Sequence, residues 1–203
     1  MAEYAEIRHL LNPGDLVLFG GRGPVSAVIK WGTKSPASHA GIISHVDVAG
    51  SSPGTRVHVV EATSLNGHAS VFSTPLSHRV RDYKGEVWIL TLSEEARSRL
   101  TPLLPEAWAW IDEHVEKATA YDTWGAVRCE YWPQKDNYSK LFCSETVAGF
   151  WKEGTVIPDE SNASAWSPRD CGDARLFGST YYQVSGRPKD LPNYNTIAPE
   201  AIK

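Results

Sequence analysis

The sequence predicts an α+β fold, and three observations carry that expectation. Short β-branched and aromatic runs recur at residues 16–19, 39–46, 56–62 and 87–92, each set off by turn-forming residues. Helical spacing appears around them, after Pro24, after Ser93 and after Cys143. No internal repeat or long low-complexity tract divides the 203 residues, so one domain over 1–203 is expected, with an irregular tail from about residue 185.

Asn12-Pro13-Gly14-Asp15 is a turn, and Leu16-Val17-Leu18-Phe19 is a strand of buried type. Gly20-Gly21-Arg22-Gly23 forms a loop. Pro24 suits the first position of a short helix whose inner face would be Val25, Val28, Ile29 and Trp31. Residues 39–46 and 56–62 are strands around the turn Gly50-Ser51-Ser52-Pro53-Gly54, which makes them a hairpin. Residues 63–83 are irregular except for one short strand around 69–72, and 87–92 is a further strand. Ser93, followed by Glu94 and Glu95, opens a helix in N-cap style. Pro102 and Pro105 interrupt it, after which Leu104, Trp108, Ile111, Val115 and Ala118 trace an amphipathic face. From Cys143, Val147, Phe150 and Trp151 repeat at helical spacing. A Pro-, Asn- and Ser-rich stretch follows from Gly154, with short ordered pieces around 170–182.

Composition excludes several function classes. A net charge of −4 without a Lys/Arg cluster argues against a nucleic-acid partner. The seven histidines show no H-E-x-x-H or paired spacing, so neither a metal nor another cofactor is expected. Gly50 to Gly54 fits G-x-S-x-G literally, but in a hairpin turn and not at a nucleophile elbow. Gly20-Gly21-Arg22-Gly23 and Gly32-Thr33-Lys34-Ser35 complete neither a Walker nor a dinucleotide pattern. Three cysteines without a C-x-x-C pair fit a reducing compartment. With no apolar signal core and no membrane-spanning run, a cytoplasmic location without an integral membrane segment is expected.

Cys143 falls where a polar, turn-rich stretch gives way to helical spacing, which puts it at or just inside a helix N-terminus. Unpaired N–H groups and the macrodipole favour a thiolate there. Such a cysteine is a candidate nucleophile if a histidine reaches it. The competing reading is a buried cysteine that begins a core helix. His39 starts a strand directly after a loop, and Glu61 lies near the end of the next strand. Antiparallel pairing around residues 51–53 sets positions summing to about 100–105 opposite each other, so Glu61 can lie beside His39. A carboxylate there holds the imidazole in one tautomer and stabilises its charged form. A surface ion pair on an exposed hairpin is the alternative. His45 and His58, mid-strand, read as structural or surface residues.

Several of these stretches resemble one family. Asn12 to Phe19 is similar to the P-G-D-L-V-F-F stretch of NlpC-type papain-like cysteine peptidases, and Ser38-His39-Ala40-Gly41-Ile42-Ile43 to their S-H-V-G-I-Y strand. Phe142-Cys143-Ser144-Glu145-Thr146-Val147 resembles their nucleophile helix, usually D-C-S-G-L-V. The cysteine follows the histidine here, as in the circularly permuted branch related to lecithin retinol acyltransferase. Val59-Val60-Glu61-Ala62 and Phe142-Cys143-Ser144-Glu145 match a bacterial domain-of-unknown-function group within that branch, and Tyr121-Asp122 and Trp166-Ser167-Pro168-Arg169-Asp170 resemble it too. The resemblance spans residues 13–184. It implies a papain-like fold, with a small antiparallel sheet packed against the nucleophile helix, and a Cys143-His39-Glu61 triad.

The expected function is therefore a thiol peptidase or amidase that cleaves an amide bond, in a cell-wall-type peptide, through an acyl-enzyme. The partner is then a small peptide or acyl substrate. Trp124, Tyr131, Trp132 and Tyr138, just before the nucleophile, are candidates to wall its groove or to pack in the core. Lipid acyl hydrolysis or acyl transfer on the same fold is the alternative, as is a non-catalytic binding module using the same cleft. A thiol redox protein would need Cys129 or Cys171 as a resolving cysteine.

Overall fold

An eight-stranded sheet organises the molecule, which is described here from a computed structural model over residues 2–46, 56–65, 68–117, 119–121 and 140–202. Its strands are β1 (Leu16–Gly21), β2 (His39–Val46), β3 (Arg56–Leu65), β4 (His68–Pro75), β5 (Gly85–Leu92), β6 (Ala120–Tyr121), β7 (Lys140–Leu141) and β8 (Phe177–Ser185). They lie in the order β7-β6-β4-β3-β2-β1-β5-β8, antiparallel at every step except β6 to β7. The helices are α1 (Tyr4–Ile7), α2 (Pro24–Thr33), α3 (Leu76–Asp82), α4 (Glu94–Leu100), α5 (Leu104–Glu116), α6 (Cys143–Glu153) and α7 (Pro168–Asp173). The α+β class follows directly.

Alternation along the strands splits the core in two. Leu16, Leu18, Ile42, Val60, Trp88 and Leu90 point to the face that carries α5 and α6. Val17, Phe19, Ile43, Val59, Val87 and Ile89 point to the other, covered by α1 and by α3 through Leu76. One acidic residue ties the β1 entry to its surroundings. Buried Asp15 accepts the Asn12 N–H at 2.7 Å, the Leu92 N–H at 2.9 Å and an Arg97 N–H at 2.5 Å.

The strand expectations are met and extended: 16–19, 56–62 and 87–92 lengthen to β1, β3 and β5, and β2 covers 39–46 as expected. Ser93 caps α4, its hydroxyl accepting the Ala96 N–H at 3.2 Å. Residues 63–83 are more regular than expected, comprising the end of β3, a full β4 and α3. The piece expected around 170–182 is α7 followed by β8, which pairs with β5. Two expectations about helix faces are corrected. In α2 only Ile29 and Thr33 are buried, while Val25, Val28 and Trp31 are 48%, 51% and 79% exposed. In α6 every residue from Cys143 to Trp151 is buried, because the helix is held between β2 and β3 on one side and α5, α7 and the short turn Ala163–Ala165 on the other. The 50–54 turn, Ala118, Asp122, Trp124, Cys129, Tyr131, Trp132, Tyr138 and the Tyr121 side chain lie outside the described residues.

Candidate active site

Phe142 is extended (φ −111°, ψ 169°), so α6 opens at Cys143 and the first helical bond runs from the Thr146 N–H to the Phe142 carbonyl at 3.0 Å. Glu145 fixes this start: its carboxylate accepts the Phe142 N–H at 3.4 Å and the Ser164 hydroxyl. The Cys143 and Ser144 N–H groups are then left without helical partners.

The sheet opens where the sulfur arrives. The β2–β3 ladder ends at Ile42 opposite Val60, although both strands run on past that pair. Ile43 bonds toward the β1 side, accepting from the Gly14 N–H at 3.0 Å and donating to the Asp15 carbonyl at 2.8 Å. Alternation therefore turns the Ala40 N–H toward β3. There it bonds the Cys143 sulfur in place of a strand carbonyl, and the Ser144 N–H bonds the same sulfur.

His39 stands at the mouth of this opening. Its Nε2 lies 2.6 Å from Glu61 Oε2, which leaves Nδ1 for Cys143, the ring's other hydrogen-bond partner. Ser38 braces the strand start, its hydroxyl accepting the Gly21 N–H at 3.1 Å and donating to the Phe19 carbonyl at 3.3 Å. Gly41 clears the route from Glu61 to His39. A Cβ at Gly41 would come within 2.6 Å of Val59 Cγ2 and 3.3 Å of Glu61 Cβ.

A fourth residue completes the set. Arg79 donates from Nε to Glu61 Oε1 at 2.5 Å and from Nη2 to Oε2 at 2.9 Å, while its guanidinium lies 5.2 Å from the Phe19 ring centre and 5.4 Å from that of Tyr83. Sequence reasoning missed it because α3 fell within the stretch read as irregular. The available signal was Leu76 and Val80 at i, i+4 directly after Pro75, which marks a one-faced helix.

Burial opposes every charge in this set, and pairing overrides it. Glu61 would be raised by burial, but His39 and Arg79 hold it below the usual carboxylate range. Burial pulls His39 down, yet Cys143 and Glu61 lift it to about 10. Burial pushes the Cys143 thiol up, and His39 with the Ala40 and Ser144 N–H groups brings it below the ordinary thiol value. All three shifts favour a thiolate–imidazolium pair over two neutral groups.

Thus Cys143, His39 and Glu61, distant in sequence, meet at one end of the sheet. The other singled-out residues have structural partners: His45 Nε2 lies 3.0 Å from the Leu11 carbonyl, and His58 Nδ1 lies 3.1 Å from the Ser73 hydroxyl. Cys171 is buried, with its sulfur 3.9 Å from the Ser144 carbonyl. Among the described residues, no group of three or more His, Cys, Asp and Glu could hold a metal, and no helix is long and apolar enough to cross a membrane.

No protein-family model and no curated protein matches the chain. Among solved structures it is similar to the crystal structure of metalloprotein yiiX from Escherichia coli O157:H7, at 20% identity with a TM-score of 0.48. The match covers 70% of this chain and 66% of that one, just under two thirds of its length.

Proposed function

We propose that the chain is a cysteine hydrolase that cleaves an amide bond, in a cell-wall-type peptide, on a circularly permuted papain-like fold of NlpC type. The observation that carries this reading is the relay itself: a buried carboxylate on one imidazole nitrogen of His39, and a cysteine at a helix N-terminus whose ionisation the same ring favours. The fold part rests on an antiparallel sheet with the cysteine helix packed on it, and on a histidine strand that precedes that helix in the chain.

The chemistry follows from the charges. The Cys143 thiolate adds to the carbonyl carbon, and the π pair moves onto oxygen, where the Cys143 N–H at the helix start stabilises it. As the adduct collapses, the C–N bond breaks and the amine leaves with the proton from His39 Nδ1, giving a thioester. Neutral His39 then takes a proton from water, whose oxygen attacks the thioester. The acid departs, and the thiolate–imidazolium pair is restored. Glu61 holds the ring's orientation throughout, and Arg79 keeps Glu61 ionised.

The test is hydrolysis of a panel of muropeptides and acyl lipids, with Cys143→Ala protein as the blank. Amide turnover that vanishes in the blank supports the reading. Equal rates in both proteins, or no turnover of any amide, would sink it. A lipid acyl ester is the second reading, favoured by the exposed apolar face of α2.

A further inference from the structure

Helix α2 is built inside out. Its long polar side chains face the protein: Lys30 Nζ bonds the Gly21 carbonyl at 2.6 Å, and the buried Thr33 hydroxyl bonds the Ile29 carbonyl at 2.9 Å. Its exposed residues are Pro24, Val25, Ala27, Val28 and Trp31, all apolar. Pro24, Ala27, Val28 and Trp31 follow i, i+3, i+4, i+7 spacing and therefore form one stripe. An outward stripe ending in a largely exposed tryptophan is an interaction surface, not a normal solvated helix.

The surrounding charge indicates what it meets. From Leu16 to Val46 the sequence has no Asp or Glu and carries Arg22, Lys30 and Lys34, although the whole chain has a net charge of −4. Arg22 and Lys34 flank the two ends of the stripe and are exposed. Two acidic groups near the helix are paired: Glu86 lies 3.9 Å from Arg22, and Asp173 lies 2.9 Å from Arg169, which also bonds the Thr33 carbonyl. An apolar stripe with a tryptophan and a cationic border matches the headgroup boundary of a lipid bilayer.

We propose that α2 docks the protein on an anionic lipid surface, with Val25, Val28 and Trp31 entering the headgroup boundary and Arg22 and Lys34 meeting the lipid phosphates. The helix leaves β1 just after Gly21 and returns through residues 35–38 to His39, so docking sets the His39 end of the sheet at the surface. The proposal does not depend on catalysis, because binding is read without turnover.

Co-sedimentation with phosphatidylglycerol/phosphatidylcholine vesicles, and with phosphatidylcholine alone, tests it on the full chain. The wild type should bind the anionic vesicles and lose affinity as salt rises. Val28→Ser/Trp31→Ser should weaken binding by about tenfold or more. Arg22→Gln/Lys34→Gln should cost about fivefold per charge and flatten the salt dependence. All four positions are exposed, and a circular dichroism melt unchanged from wild type confirms that each variant is folded. Wild-type protein that stays in the supernatant overturns the proposal, as does binding that both folded variants retain. So does sedimentation velocity showing a wild-type dimer that Val28→Ser/Trp31→Ser dissociates, since the face would then join two copies of this chain.

Discussion

Burying an unpaired carboxylate costs several kcal/mol, and Glu61 has no exposed surface. Its two cations, His39 and Arg79, therefore matter to stability as well as to chemistry. Arg79→Met should cost about 3–5 kcal/mol in urea unfolding and should also lower kcat, because Glu61 then loses one of the two cations that hold it below the usual carboxylate range. Arg79→Lys keeps the charge but loses the two-pronged contact, and should fall between Met and wild type in both measurements. The pH–rate profile carries the same signature. Activity should rise as Cys143 ionises below the ordinary thiol range and fall as His39 loses its proton near 10. The three triad candidates were legible in the sequence because His39 and Cys143 start a strand and a helix that spacing marks, and the hairpin register brings Glu61 beside His39, although β3 runs on past it to Leu65. Arg79 was not, since a bidentate contact from a seven-residue helix leaves no periodic trace.

At the scale of elements, the site depends on where two strands stop pairing. The expected register was right: Ile42–Val60 and Ile43–Val59 both sum to 102, within the range inferred from the turn. What spacing did not reveal was that the ladder ends there and gives the Ala40 N–H to sulfur. Gly41→Ala tests this geometry. Its Cβ would meet Val59 Cγ2 at 2.6 Å and the Val60 carbonyl oxygen at 2.9 Å, so β2 and β3 must shift. The expected result is a loss of about 1–3 kcal/mol in stability, with a fall in kcat as His39 and Glu61 separate. Helix α2 teaches a different lesson. Periodicity identified its apolar stripe but could not say which side faced inward, and Lys30 and Thr33 took the inner positions through backbone carbonyls. In α6 the stripe was real, but it understated burial, because neighbours on every side are contributed by distant parts of the chain.

Across the whole molecule, the ion pair shapes how stability depends on pH. His39 is raised from 6.5 to about 10, so its contribution is complete below 6.5 and is lost as pH rises through 10. Cys143 is lowered from 9.0, so its contribution is complete above 9.0 and is lost as pH falls through its folded value. From the higher of 6.5 and the folded Cys143 value up to 9.0 the two slopes oppose each other, because the native pair and the unfolded chain then each hold one proton. Glu61, lowered from 4.5, adds stability that is lost in acid. Urea midpoints should therefore form a plateau that ends near 9.0 and fall on both sides of it. In Cys143→Ala, His39 loses the largest effects that raise it and keeps only Glu61 against burial, so the alkaline decline should shrink and move to lower pH.

The ionisation of Cys143 tests the central claim most directly, and it needs neither a substrate nor solvent access to the sulfur. The ultraviolet thiolate band, taken as the wild-type minus Cys143→Ser difference, can be titrated in wild-type and His39→Ala backgrounds. The account predicts a thiolate already present at neutral pH in the wild type, with its titration moved up once His39 is removed, since burial is then opposed only by the Ala40 and Ser144 N–H groups. A Cys143 that is a neutral thiol at pH 7, with the same titration in both backgrounds, would contradict it.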